Sequence, residues 1–438
     1  MSIAAPATGA APAATAPTSI NSRLGLMMFL QFFVWGAWYS AIAVYMANAG
    51  MQDLTHWPFT VNPIAAIVAP FFLGFVADRY FSTERVLGVL HLLGGITMFL
   101  VPRSSGNPTL FILLLLLYNL FFMPTLGLSN SLAFSHIRNQ EREFPRVRVF
   151  GTIGWIAAGL FVSFVLSRFV TGPAEATPLP LYTTAVASVV LGLYCFTLPH
   201  TPPQGAGTRA TVRSILGVDA LRTLGSRPFY VFVICSFLIC IPLAAYYNFA
   251  QLYVGAVGVE RIAATLTLGQ MSEVGFMLLM PFFFRRLGVK WMILVGMGAW
   301  VVRYALFALS APDAVIWMVV VGIALHGICY DFFFVTGQIY VDKKSTPAIR
   351  GQAQGLLVFI TYGVGMLIGA QIAGAAYNRF LTGGETLALA QWQQFWWLPA
   401  GFALGVLVIF AALFHDRVDP APTLGESVAS TPTPAPAT

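Results

Sequence analysis

Twelve runs of roughly 20 apolar residues recur along the 438-residue chain, and about that length carries a helix across the hydrocarbon of a bilayer. They lie near 24–47, 59–77, 86–102, 109–135, 147–167 and 179–199, then near 229–256, 263–284, 291–310, 314–340, 350–377 and 393–414. Without water in the bilayer core, every backbone N–H and C=O must be paired within the protein. Runs this long are therefore expected as helices. Composition agrees: 58% of residues are apolar and 9% charged, against about 25% charged in soluble domains. Too few charges exist to coat a water-facing surface. The expected fold class is an all-α membrane protein of twelve transmembrane helices.

Basic residues accumulate on the cytoplasmic side of membrane proteins, which tests both the count and the orientation. With both termini cytoplasmic, Arg103, Arg168, Arg261 and Arg379 fall outside and Arg303 falls within the ninth span. The remaining Lys and Arg residues all lie inside. One missed span would scramble that partition. A polar stretch from His200 to Pro228 divides the spans six and six. The expected organisation is a disordered tail over 1–22, a six-helix half over 23–200, a cytoplasmic loop over 201–228, a second half over 229–415 and a disordered tail over 416–438. The tails are rich in Ala, Pro, Thr and Ser, and the first lacks the basic start of a signal peptide. Cys195, Cys235, Cys240 and Cys329 sit in apolar runs without metal-ligand or redox spacing, and are expected as small core residues.

The halves echo each other. Pro145 to Arg148 opens the fifth span and Pro347 to Arg350 opens the eleventh, its counterpart. Two repeats of this kind place a substrate site at their interface near the bilayer midplane. Between spans two and three, Gly74, Asp78 and Arg79 form a short polar turn that resembles the gating turn of the major facilitator superfamily. Close helix packing is expected at Gly365 and Gly369, spaced by four.

Ionisable groups inside spans are functional candidates by default. Glu273 lies in the eighth span and Asp331 in the tenth, with Arg303 in the ninth and His326 preceding Asp331. Arg303 cannot neutralise both acids, so at least one is free to carry a proton. A carboxyl group in low-dielectric surroundings is easier to protonate than one in water. Asp331 is the first choice and Glu273 the second, with His326 and Arg303 as supporting charges. Helical spacing puts Gln270 and Glu273 on one face, Arg148, Thr152 and Trp155 on another, and Gln31, Trp35 and Trp38 on a third. Tyr246, Tyr247, Asn248 and Gln251 cluster in the seventh span. Amides and a guanidinium suit base edges and sugar hydroxyls, while aromatic faces suit a planar ring. The alternative for such residues is helix packing and interfacial anchoring.

Arg148 to Trp155 resembles the fifth-helix motif of the bacterial nucleoside:proton symporters. So do Gln31 to Trp38, Met123 to Asn130, Gln270 to Glu273, Tyr330 to Phe333 and Thr346 to Gly355. The likeness runs in order from about Leu24 to His415. It implies a nucleoside site of Arg148, Thr152 and Trp155, with Gln270, Glu273, Tyr330 and Asp331, and makes Asp331 the proton-coupled group. On the seventh helix this chain departs from the family's Gln and Asn: Ala244 stands at the first position, and Tyr247 or Asn248 at the second.

The expected function is import of nucleosides, uridine, adenosine or similar, with protons by alternating access in the bacterial cytoplasmic (inner) membrane. A monomer embedded in lipid is expected. No catalytic residue, cofactor, metal or nucleic-acid partner is expected, since no phosphate-cradling loop, HExxH or Gly-x-Ser-x-Gly is present. A sugar or glycoside:proton symporter is the alternative within transport. A non-transporting sensor or an intramembrane enzyme is more remote.

Overall fold

The computed structural model describes residues 18–72, 80–138, 140–203, 211–346, 349–381 and 389–416. The expected gating turn (Gly74, Asp78, Arg79), part of the central loop and most of both tails lie outside the described residues. Most of the rest is helical, and each of the twelve apolar runs falls on a helix, the second over its described part.

The first run is two helices, α1 (Thr18–Tyr39) and α2 (Ile42–Asn48). There follow α3 (Pro58–Phe72), α4 (Thr83–Leu100), α5 (Pro108–His136), α6 (Gln140–Leu160) and α7 (Leu179–Cys195). The second series is α8 (Arg227–Ala256), α9 (Ile262–Ser310), α10 (Ile316–Lys344), α11 (Arg350–Phe380) and α12 (Leu389–Leu413). Among the described residues, nine helical stretches are long and apolar enough to cross a membrane. One of them, α9, carries the eighth and ninth runs as two arms. Its break is Gly288, at φ 65° and ψ 178°, a backbone conformation open to a residue without Cβ.

Local chemistry sets the helix starts. Asn107 caps α5 by accepting from the Leu110 N–H at 3.1 Å, with Pro108 in the first turn, where its missing N–H is no loss. Ser226 and Pro228 repeat the arrangement at α8. Large apolar side chains point outward within the helices, such as Val186 (63% exposed) and Leu278 (79% exposed). Side chains of that kind face lipid.

Two large buried apolar clusters, with two small ones beside them, form inside. One draws on residues 24–198, with Ala370 added, and the other on residues 220–414. Among the described residues, polar contacts between the two sets of helices gather at one end, the one assigned by the basic residues to the exterior. Here Thr60 accepts from Gln371, the Asp53 carbonyl accepts from Asn378, and Ser163 and Glu175 hold the start of α9. Gly159 lets α6 approach α9, since a Cβ there would stand 2.4 Å from Thr267. Gly365 and Gly369 do the same between α11 and α8, as their spacing predicts: a Cβ at Gly369 would meet Ala244 at 2.8 Å and the Ile241 backbone at 2.9 Å. All four cysteines are buried and free.

Candidate functional site

A row of aromatic rings crosses from one set of helices to the other. It begins with Trp35 of α1, 5.4 Å from Trp155 of α6. Tyr39, at the end of α1, stands 5.8 Å from Trp155 and 6.1 Å from Tyr247 of α8. Tyr247 meets the His326 ring edge-on at 6.3 Å, and His326 lies 5.9 Å from Tyr330, both on α10. Tyr330 in turn accepts a hydrogen bond at 3.0 Å from the hydroxyl of Tyr362 on α11. These separations suit edge-to-face and tilted ring contacts. Trp35, Tyr39, Trp155, Tyr247, Tyr330 and Tyr362 are each only partly buried, so flat rings and hydroxyls from both halves of the sequence border one partly open passage.

Charges line the same passage. Arg148 lays its guanidinium over the Phe32 ring at 4.2 Å, and its charge is felt by Glu273 and Tyr330 across the gap. Glu273 is 15% exposed, with its carboxylate 4.0 Å from His326 Nε2. The charge of Glu273 reaches Tyr247 and Asp331 in turn. Gln270, one turn earlier on α9, keeps a buried side-chain oxygen without a partner among the described residues. Thr152 is half-buried on the Arg148 face of α6.

Asp331 is fully buried, and neither carboxylate oxygen has a partner among the described residues. It stands in a π-helical turn, Tyr330–Val335. The extra residue of such a turn re-aims the side chains around it, and π turns concentrate at functional sites. A second one, Phe359–Gly365, carries Tyr362.

Close packing positions Glu273. A Cβ on Gly327 would stand 2.6 Å from the Ser272 backbone, and one on Gly269 would stand 3.0 Å from His326 Cβ. The Gly327 N–H also donates to Ser272 Oγ at 2.9 Å. These glycines let α9 and α10 touch, so that Glu273 and His326 face each other. Gly327→Ala is therefore expected to force the helices apart, costing about 1–3 kcal/mol as overpacking does. A fluorescence melting curve of the purified protein will show the lower Tm. Gly275→Ala, where a Cβ meets open space, is the matched control; an unchanged Tm for Gly327→Ala refutes the packing argument.

Other expected residues have different surroundings. Gln31 is fully buried, donating to Thr125 Oγ1 at 2.7 Å and bonded to His91 Nε2 at 2.9 Å. Trp38 packs on Tyr118, and Trp35 touches Phe122 as well as Trp155. The Gln31, Trp35 and Trp38 stripe therefore mates with a stripe of α5, and only Trp35 also reaches the passage. Asn248 turns toward α11, its amide 3.5 Å from the Ala370 carbonyl. Ala244, one turn earlier, packs on Gly369. The seventh-run side chain at the passage is Tyr247. Arg303 meets neither acid: its Nε donates to the Gly322 carbonyl at 3.0 Å and its guanidinium covers Tyr246 at 4.2 Å. Cation–π attraction holds that charge in the apolar interior. Two residues of the row, Tyr39 and Tyr362, were not anticipated. Tyr39 follows Trp35 by one helical turn, a spacing that shared the signal of the Trp stripe.

Residues 18–419 match the protein family described as the nucleoside H+ symporters. The transporter YegT of Escherichia coli K12 is 38% identical over 401 residues, covering 90% of this chain and 94% of its own. The xanthosine permease of the same organism is 31% identical, covering 92% of this chain and 97% of its own. Among solved structures, the crystal structure of the nucleoside transporter NupG superposes with a TM-score of 0.79 at 29% identity, over 91% of this chain and all of that one.

Proposed function

Because the chain belongs to the nucleoside H+ symporter family, we propose that the passage described above is its nucleoside site and that Asp331 carries the coupled proton. The protein is a secondary active transporter of the major facilitator fold, moving nucleosides with protons across the cytoplasmic membrane. One observation carries the site reading: the aromatic row, Arg148, Gln270 and Glu273 converge between the two sets of helices, next to a buried carboxyl group that has no partner among the described residues.

The chemistry follows from those groups. A nucleobase offers flat faces to Trp155, Tyr247 and Tyr330 and polar edges to Gln270. Ribose offers hydroxyls to Glu273 and Arg148, both of which make charge-assisted hydrogen bonds. An ionised Asp331 in a dry, closed passage is costly. Loading it with a proton removes that cost and lets the occupied carrier close. Proton and nucleoside then cross in the same movement, because the state that closes holds both. Among the described residues, the outer end is joined here by the contacts of Thr60, Asp53, Ser163 and Glu175, the arrangement of a carrier closed to the outside. The two six-helix halves rock about the site, which the gathering of cross-contacts at one end supports.

The test is uptake of labelled uridine into proteoliposomes with and without an inward proton gradient. Accumulation above equilibrium is expected with the gradient, and unlabelled adenosine should compete while maltose should not. Competition by the disaccharide in place of adenosine would overturn the nucleoside site.

A further inference from the structure

The first apolar run is interrupted where its helix should be continuous. Helix α1 ends at Tyr39 and α2 begins at Ile42, within one run of apolar sequence holding neither Pro nor Gly between them. In an unbroken helix the Ala43 N–H donates to the Tyr39 carbonyl, four residues back. Here a side chain from the other half of the sequence stands between them. Gln251 of α8 accepts from the Ala43 N–H at 3.1 Å and donates to the Tyr39 carbonyl at 3.1 Å. Its amide supplies the acceptor and the donor that the missing bond leaves over, in place of a peptide group. Gln251 is 3% exposed, so no bulk water serves these groups. A side chain inserted into the ladder is a recognised cause of a helix kink. Ser40, whose hydroxyl donates to the Gly36 carbonyl at 2.8 Å, adds a second cause.

The kink has a consequence at the site. Tyr39 is the last residue before it, and its ring touches both Trp155 and Tyr247. The bend therefore sets where Tyr39 stands in the aromatic row. Gln251 reaches it from the facing helices, one turn after Tyr247 on the same face of α8.

We propose that Gln251 is a positioning residue for transport: its amide completes the broken ladder of the first helix only while the outer ends of the two halves touch, so that closing the outer end and turning Tyr39 into the nucleoside site are one event. When the outer ends part, Gln251 withdraws, and Ala43 and Tyr39 regain each other as the helix straightens. The inference rests on the transport reading above and adds a residue that does not touch substrate.

The experiment follows a cysteine at Ala263, which is fully buried at the outer seam against Val162, Leu166 and Ala174. Purified full-length protein carrying Ala263→Cys is treated with a maleimide, alone and with Gln251→Leu or Gln251→Asn added. Asparagine keeps the amide but is too short to bridge both groups. Losing two buried hydrogen bonds moves the equilibrium by roughly tenfold or more, so labelling at 263 should quicken by about that factor for Leu, and by less for Asn. Maximal uridine uptake should fall in the same order. The four buried native cysteines should stay protected, which separates opening of the seam from unfolding. Labelling at the parent rate overturns the proposal, as does faster labelling with uptake unchanged. Should Gln251→Leu also expose the native cysteines, the Asn variant decides: faster labelling at 263 with those cysteines protected supports the clip, and parent-like labelling overturns it. The labelling arm involves no nucleoside, so its failure and a failure of the nucleoside reading are told apart.

Discussion

In proteoliposomes, Asp331→Asn will equilibrate labelled uridine across the bilayer but will not concentrate it. The carboxyl group of Asp331 is buried in the π turn of α10, with both oxygens unpartnered among the described residues. Asn keeps the shape and stays neutral, like the protonated acid, so the occupied carrier still closes. What it cannot do is bind and release a proton. One pH unit is worth 1.36 kcal/mol. With one proton per nucleoside, a gradient of one unit therefore supports about tenfold accumulation in the parent. The variant should settle at a ratio of one, while counterflow driven by unlabelled uridine persists. Gradient-driven accumulation by Asp331→Asn would remove Asp331 from the proton pathway. Loss of counterflow as well would point to a binding role instead.

The second large effect concerns Arg148 and Glu273, which stand on α6 and α9, with the charge of Arg148 reaching Glu273. A hydrogen bond from a charged group to a bound ligand contributes about 1.5–3 kcal/mol. Arg148→Ala and Glu273→Ala should each weaken uridine binding by roughly tenfold or more on that scale. The double variant should bind little worse than the poorer single one, because groups sharing one network are not additive. Isothermal titration of the detergent-purified proteins measures all four affinities. If the two losses simply add, the residues act independently and do not hold one substrate between them.

Much of this was legible before any coordinates. Asp331 and Glu273 stood out because a charge in an apolar run needs a reason, and the structure buries the first fully and leaves the second 15% exposed beside His326. The twelve runs were legible for the same reason in reverse, since lipid leaves the backbone few alternatives to a helix. Even the break inside α9 falls at Gly288, between the basic residues Arg286 and Lys290 that mark a cytoplasmic loop. The shared face of Tyr247 and Gln251 follows from helical spacing alone.

Periodicity says which residues share a face, and nothing about what that face meets. Gln31, Trp35 and Trp38 form a stripe as regular as Arg148, Thr152 and Trp155. The first mates with α5 in the interior of its own half, while the second borders the passage. Tyr247 and Asn248 are neighbours in sequence, yet about 100° of helical rotation separates a ring at the site from an amide held against α11. Arg303, a natural counter-ion on paper, covers the ring of Tyr246 because the helix that carries it turns that way. Nor does any local signal mark the gap between Tyr39 and Ala43, whose two backbone groups are bridged by a residue more than 200 positions later.

The sequence by itself determined that this chain is a bundle of membrane-crossing helices, and which ionisable groups its interior must accommodate. Those outcomes depend on the transfer of side chains and peptide groups from water, a property each residue carries alone. Which faces meet, where the first helix bends and which aromatic rings line up were decided by the tertiary structure. They depend on how closely helices approach at Gly159, Gly327 and Gly369, and that distance exists only once both helices are in place.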